Sequence, residues 1–218
     1  MRKTYHLEIC ERALADQFSS RALDVIIKAN IRQDKIRYQF KHPHFHFDSN
    51  AFEASFNYIK EQRQIILEIS DSFDKLQASW QAFGRLTHVV QDFYAHSNYI
   101  QLWLNTFSSQ EKPYPQQVVA MDMEILQDPN LHSGNIYFLY WLAFIPWFYA
   151  IAHYLAPKDS HTHMNLDHPN RGMQFSYAIE AAVKRTVYEY NQTTALLGSE
   201  RSSLFKDIWL FMCLTVWG

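Results

Sequence analysis

Glycine and proline are scarce in this chain, and that scarcity constrains its fold more than any other feature. The 218 residues include 5 glycines and 7 prolines, too few for the many tight turns of an all-β domain. Apolar residues instead recur at helical spacing, and no stretch shows the persistent alternation of a strand. The segments with helical spacing are 8–29, 52–69, 73–104 and 172–197. The sequence therefore predicts an all-α fold, a single multi-helix bundle domain over residues 1–218.

Polar residues and glycine predict where several of these helices begin and end. Residues 48–50 (Asp-Ser-Asn) suit the N-terminus of the helix that follows, and residues 71–72 (Asp-Ser) suit the next one. Gly198 is placed to end the helix over 172–197. A short helix over 116–126 and an apolar helix over 199–217 complete the predicted set.

Charge and cysteine content narrow the class of protein. The 20 lysines and arginines are balanced by 22 aspartates and glutamates, which excludes a strongly basic protein that binds nucleic acid through broad phosphate neutralisation. Cys10 and Cys213 cannot form a disulfide framework, and two such cysteines suit a reducing compartment. No apolar run follows the basic start at Met1, so we expect no secretory signal and predict a cytoplasmic location.

An uncharged apolar segment over 136–156 is long enough to span a membrane. Pro146 divides it, and its tyrosines and His153 suit a lipid core poorly. We therefore interpret it as a buried helical hairpin or a kinked core helix. The alternative is a membrane-dipping aromatic element, which would give the protein a peripheral membrane contact.

The placement of the 11 histidines carries the functional argument. His88, Asp92 and His96 are spaced at i, i+4 and i+8, so on a helix they share one face. Neutral imidazole and ionised carboxylate are zinc ligands in sites without thiolates. This stripe predicts a metal site.

Further histidines have matching patterns elsewhere in the chain. His163 and Asp167 repeat the four-residue spacing, with His161 and His168 close by. The histidines at 42, 44 and 46 alternate and would share a face in an extended segment. The Glu-x-x-His pairs of di-iron bundles, the His-Glu-x-x-His of zinc proteases and Cys-x-x-Cys are absent from the sequence.

The segment Phe83–Tyr99 (FGRLTHVVQDFYAHSNY) resembles the central ligand helix of the zinc-dependent phospholipase C superfamily. It is most similar to the branch related to the fungal heterokaryon-incompatibility protein Het-C. The superfamily also includes secreted bacterial phospholipases C and fungal single-strand-specific nucleases. Its members are all-α and hydrolyse phosphate esters with a cluster of three zinc ions.

The resemblance implies a set of metal ligands and two or three bound Zn²⁺ ions. In this set Asp92 bridges two metals, and Asp34 binds one and acts as general base, so these two carboxylates are the implied catalytic residues. His44 remains open as an alternative to His46, and His161 as an alternative to His163. The implied ligands are His6, Asp34, His46, His88, Asp92, His96, His163 and Asp167.

Two departures from the superfamily pattern bear on this set. The secreted phospholipases bind one zinc through a processed N-terminal tryptophan, whereas here Met1 precedes His6. His96 follows Asp92 by four residues, which is closer than in the secreted enzymes and suits the Het-C-like branch.

The resemblance and the ligand stripe together predict a phosphoric-ester hydrolase with a metal-activated water. The leading substrate is a phospholipid headgroup ester. A single-strand nuclease or another phosphodiesterase is the enzymatic alternative, disfavoured because no basic run is interleaved with aromatic residues. A non-catalytic, metal-stabilised interaction or membrane-associated protein is the alternative outside enzymes.

Overall fold

The computed structural model describes residues 1–35, 38, 42–108, 112–137 and 154–208. Three single-turn 3-10 helices, Pro43–Phe45, Pro115–Gln117 and Pro169–Arg171, lie between the α-helices. In chain order the α-helices are α1 (Lys3–Leu14), α2 (Ser20–Arg32), α3 (Phe52–Leu67), α4 (Phe73–His96), α5 (Tyr99–Asn105), α6 (Met123–Leu126), α7 (His161–Met164) and α8 (Gln174–Lys206).

Helix α4 lies at the centre of the bundle. It packs against α2, α3 and α8, while α1 packs against α2 and α8. From Leu86 to its end every residue of α4 is buried, so its polar side chains there must find partners inside the protein. The described residues form no extended strand, and the predicted all-α class is confirmed.

A glycine allows α2 to approach α4 closely. A Cβ atom on Gly84 would overlap the carbonyl oxygen of Ile26 and would lie 2.8 Å from the Cβ of Ala29. The absence of a side chain at this position therefore sets the distance between the two helices. The contact lies one turn before His88 on α4.

The predicted helix over 8–29 is wrong, because the chain forms two helices there. The Ser19 side chain accepts a hydrogen bond from the Ala22 amide and begins α2. Phe18 enters the core at the break and packs edge-on against Phe205. The helical spacing of apolar residues continues across the turn, which is why the sequence pattern did not reveal it.

The predicted helix over 73–104 is also divided. Helix α4 ends at His96, and Ser97 pairs with Ser133 in an isolated β-bridge. The amide of Asn98 donates to the carbonyl of His132 at 3.0 Å. Backbone bonding to residues 132–133 thus stops the helix immediately after the third residue of the predicted ligand stripe.

The remaining predictions have mixed outcomes. Gly198 adopts φ 71° as a helix terminator would, but the helix resumes and runs to Lys206. The predicted helix over 116–126 is a 3-10 turn followed by the short α6. Most of the apolar segment 136–156, the end of the predicted helix over 199–217 and Cys213 lie outside the described residues. Among the described helices, none has the length and apolarity to cross a membrane.

Candidate metal centre

Five segments that are distant in sequence converge beside the C-terminal half of α4. They are the start of the chain with α1, the residues after α2, the 46–48 turn, α4 itself and residues 161–167. The predicted ligands that they bring together are His6, Asp34, His46, His88, Asp92, His96 and Asp167.

The Asp92 carboxylate lies between two sets of donors. Its Oδ1 is 3.2 Å from His6 Nε2, and its Oδ2 is 3.1 Å from His88 Nε2. His46 Nδ1 approaches Oδ2 to 2.8 Å and His88 Nε2 to 3.1 Å. The Asp92 side chain is fully buried. The Asp92 carboxylate therefore has a histidine nitrogen beside each of its oxygens.

The first donor group combines His6, Asp34, His88 and Asp92, and these four residues could hold a metal ion. Asp34 Oδ2 lies 4.0 Å from His6 Nε2, and Asp34 Oδ1 lies 3.8 Å from His88 Nε2. Tetrahedral zinc with bonds of about 2.0–2.1 Å separates its ligand atoms by about 3.3 Å. The observed separations from Asp34 and Asp92, 3.1–4.0 Å, bracket that value.

Hydrogen bonding prepares His6 to act as a ligand through Nε2. Its Nδ1 donates to Gln91 Oε1 at 2.7 Å, so the neutral ring carries its proton there and leaves a lone pair on Nε2. Nε2 is buried and makes no hydrogen bond within the described residues. Gln91 is in turn held by Asn30 and Thr186. A buried nitrogen with a bare lone pair beside two carboxylates fits a cation-binding role.

The second donor group lies at the end of α4 and includes Asp48, His96 and His161, which could also hold a metal ion. His96 Nδ1 donates to the His46 carbonyl at 2.8 Å, and His161 Nδ1 lies 2.7 Å from Asp48 Oδ1. Because both Nδ1 atoms are engaged in this way, we assign Asp48 to orienting His161 rather than to direct ligation. The Nε2 atoms then face Asp167, at 3.0 Å from His96 and 3.7 Å from His161.

His161, the alternative left open above, occupies the position that the resemblance gave to His163. His163 is exposed, and its Nε2 lies 3.1 Å from the Ala156 carbonyl. For the second open pair, His46 or His44, the histidine in the cluster is His46, as the resemblance implied. His44 instead contacts the ring of Tyr58 edge-on.

The turn after His46 and residues 133–136 place Asp48 and His161 against each other. Phe47, Ser49 and Asn50 all have positive φ values of 54–55°, which is unusual for residues other than glycine and typical of constrained functional segments. The Ser49 amide donates to the Gly134 carbonyl at 2.9 Å. A Cβ atom on Gly134 would lie 2.6 Å from His161 Cα, so only glycine fits at this crossing.

The amino group of Met1 also lies in the cluster. It is 2.6 Å from Asp92 Oδ1, 2.9 Å from Asp167 Oδ1 and 3.1 Å from His96 Nε2. Burial disfavours its charge, but the carboxylates of Asp167 and Asp92 outweigh burial and raise the pKa of this amine to about 12. The cluster therefore favours a positive charge at this point.

The cluster shifts the pKa values of two histidines in opposite directions. Burial lowers the pKa of His88 to about 4, which keeps its imidazole neutral and available as a ligand. Burial also opposes charge on His161, but Asp48 and Asp167 outweigh it and raise the pKa of His161 to about 10. The pKa of Asp92 is held well below its usual value, because the Met1 amine and the histidines outweigh the effect of burial.

The cluster opens onto a small cavity of about 60 Å³. Asp34, His46 and Asp167 line this cavity, and Ile136 contributes an apolar side chain to the lining. That volume accommodates more than one water molecule beside the candidate ligands.

Two polar residues near the ligands hold ligand imidazoles, and a third lies elsewhere. Gln91 contacts His6, and Asp48 contacts His161. Asn98 lies at the start of α5, where its side-chain amide donates to the Asn130 carbonyl. The proximity of His161 to Asp48 had no signal in sequence spacing, since 113 positions separate them.

The fold and the site define an all-α protein with a buried histidine–aspartate cluster that could hold metal ions. A family model described as the VWA7 N-terminal domain matches residues 3–120, more than half of the 218-residue chain. The chain therefore belongs to this family. The matched region includes the candidate ligands from His6 to His96 and ends before His161. No curated protein and no solved structure matches the chain significantly.

Proposed function

We propose that this protein is a metal-dependent hydrolase of phosphate esters, similar to phospholipase C, with zinc as the metal. The observation that carries the proposal is the closeness of the two donor groups: Asp92 belongs to the first, and its Oδ1 lies 3.9 Å from His96 Nε2 of the second. Residues of both groups line the same small cavity. Two metal ions held by a common carboxylate are typical of enzymes that displace groups at phosphorus.

The residues of the first donor group would hold one zinc ion, and His96, Asp167 and His161 would hold another. Bound zinc lowers the pKa of a coordinated water towards about 7 and stabilises negative charge on phosphate oxygens. Gln91 and Asp48 keep His6 and His161 in the orientation that ligation requires.

Asp34 is the residue we assign to proton transfer. It is the candidate carboxylate that follows α2, it lines the cavity, and it lies 3.8–4.0 Å from the imidazoles of His88 and His6. A carboxylate at the cavity wall can accept a proton from a water that attacks the phosphate. Ile136 adds an apolar side chain to the cavity lining.

The substrate class follows from the resemblance in the sequence, and a phospholipid headgroup ester remains the leading substrate, with peripheral membrane contact. A single-strand nuclease and a non-catalytic metal-stabilised protein are the alternatives. The cytoplasmic location also stays a prediction.

Elemental analysis of the purified chain, combined with three substrates, tests the proposal. We expect two or three zinc ions per chain and chelator-sensitive turnover of a phosphatidylcholine analogue, with less or none of single-stranded DNA and of a generic phosphodiester. Asp92→Asn should abolish turnover. Preferred cleavage of single-stranded DNA would favour the nuclease, and a folded, zinc-loaded but inert chain would favour the non-catalytic class.

The two histidines of α7, His161 and His163, provide a matched control. His161→Ala should lower the zinc content, because it removes a side chain that faces Asp167. His163→Ala should retain the parent zinc content and activity, since His163 is exposed. The opposite pattern would refute the ligand assignment, and a chain without metal after gentle purification would refute the hydrolase proposal itself.

A further inference from the structure

A second and larger cavity lies along α2 and α4, outside the ligand cluster. Its volume is about 560 Å³, which is in the range of small-molecule sites. Residues spaced four apart line both sides. They are Asp24, Lys28 and Arg32 on α2, and Gln77, Gln81 and Arg85 on α4. The two helices thus present facing rows of polar side chains.

The charges in this cavity are unbalanced. Asp24 is the one acidic residue among the described lining residues, and it pairs with Lys28 at 2.7 Å. Arg32 and Arg85 form no ion pair with a carboxylate within the described part of the chain. Arg32 and Arg85 thus line the cavity without a carboxylate partner among the residues that the structure describes.

Arg85 is held in place by uncharged groups. Its Nε donates to Gln62 Oε1 on α3 at 2.6 Å. Burial lowers the pKa of Arg85, and the charge of Arg32 lowers it further. Partial burial of a guanidinium beside a second cation is unfavourable unless an anion compensates it. Two arginines that line one cavity together with the side-chain amides of Gln77 and Gln81 provide the donors that recognise phosphate.

We propose that this cavity binds a phosphate group through Arg85 and Arg32. The site is separate from the proposed metal centre and does not require metal. Arg85 precedes His88 by three residues on α4, about 4.5 Å along the helix axis. The phosphate could belong to a free anion or to a lipid headgroup.

Titration calorimetry on the full chain, with EDTA present to remove metal, tests this site. The probes are inorganic phosphate, and vesicles of phosphatidylcholine with and without phosphatidic acid. We expect binding of at least one phosphate probe, weakened at least tenfold by Arg85→Gln and by Arg32→Gln. Arg85→Lys, which keeps the charge but loses the fork, should give an intermediate loss.

Arg201→Gln is the matched control, because Arg201 is an exposed arginine that bonds the carbonyls of Leu67 and Leu197 away from the cavity. It should bind as the parent chain does. Arg32 is exposed on α2, so its substitution decides the question if Arg85→Gln fails to fold. Binding to phosphatidic acid vesicles alone would identify a lipid headgroup as the source. Absence of binding to every phosphate probe, or equal binding by Arg32→Gln, would overturn the proposal.

Discussion

The substitution Gly84→Ala tests whether the close approach of α2 and α4 positions the metal centre. The added Cβ would overlap the Ile26 carbonyl oxygen and would lie 2.8 Å from Ala29 Cβ and 3.0 Å from the Asn30 amide nitrogen. Two of these atoms belong to the backbone, so no side-chain rotation can relieve the overlap. Helix α2 has to move away by a distance on the order of 1 Å. Extra methylene groups in a well-packed core force backbone shifts of the same kind.

Two opposing contributions set the expected magnitude. Overpacking of a core costs about 1–3 kcal/mol, and the upper part of that range applies because backbone atoms must move. Replacing glycine with alanine inside a helix improves helix propensity and stabilises the fold by about 1 kcal/mol. The net destabilisation is then about 1–2 kcal/mol, which lowers Tm by roughly 2–8 °C in a chain of this size.

The assay is thermal unfolding of the parent and variant, followed by metal analysis of both. Because the Asn30 side chain on α2 bonds Thr87 and Gln91, a shift of α2 should also lower zinc content or affinity. A variant as stable as the parent would show that helix propensity outweighs the overlap. Reduced stability with full zinc loading would refute the link between this contact and the site.

Three further predictions concern the site and the core. Gln91→Leu should weaken zinc binding by about 10–100-fold, because His6 loses the partner that orients it. Competition with a chelator measures the zinc affinity, and a variant with the affinity of the parent would contradict the prediction. Zinc affinity should rise with pH between about 6.5 and 10, by up to about tenfold per unit for each proton released. The reason is that metal must displace the proton from His161, whose pKa is raised to about 10; a flat profile across that range would count against ligation by this ring. Glu189→Gln should destabilise the fold by about 3–5 kcal/mol, measured by denaturant unfolding, since it leaves the buried Arg185 uncompensated.

The sequence predicted the helical class and the central ligand stripe because both depend on local spacing. His88, Asp92 and His96 share a face on any α-helix, whatever the helix packs against. Their burial on α4 required only that this face meet the core. The same local reasoning failed at 15–19 and at 97–98, where the apolar spacing continues through a break. The first break is capped by Ser19, and the second is fixed by backbone bonds to residues 132–133.

Local spacing could not predict which residues from distant parts of the sequence join the site. His161 and His163 are two positions apart on a one-turn helix, so they point in different directions, and spacing alone cannot decide which of them turns inward. The Gly134 crossing and the Asp48 carboxylate select His161. Likewise, the unbalanced arginines of the second cavity become visible only when α2 and α4 lie side by side.

The sequence by itself thus determined an all-α chain with candidate metal ligands arranged along one helix, since helical periodicity is a short-range property. Only the tertiary structure decided which distant histidines and carboxylates join that helix, how close the two donor groups lie to each other, and where the cavities open. Those features depend on the packing of five separated segments, and packing contacts between distant residues leave no periodic signal in the sequence.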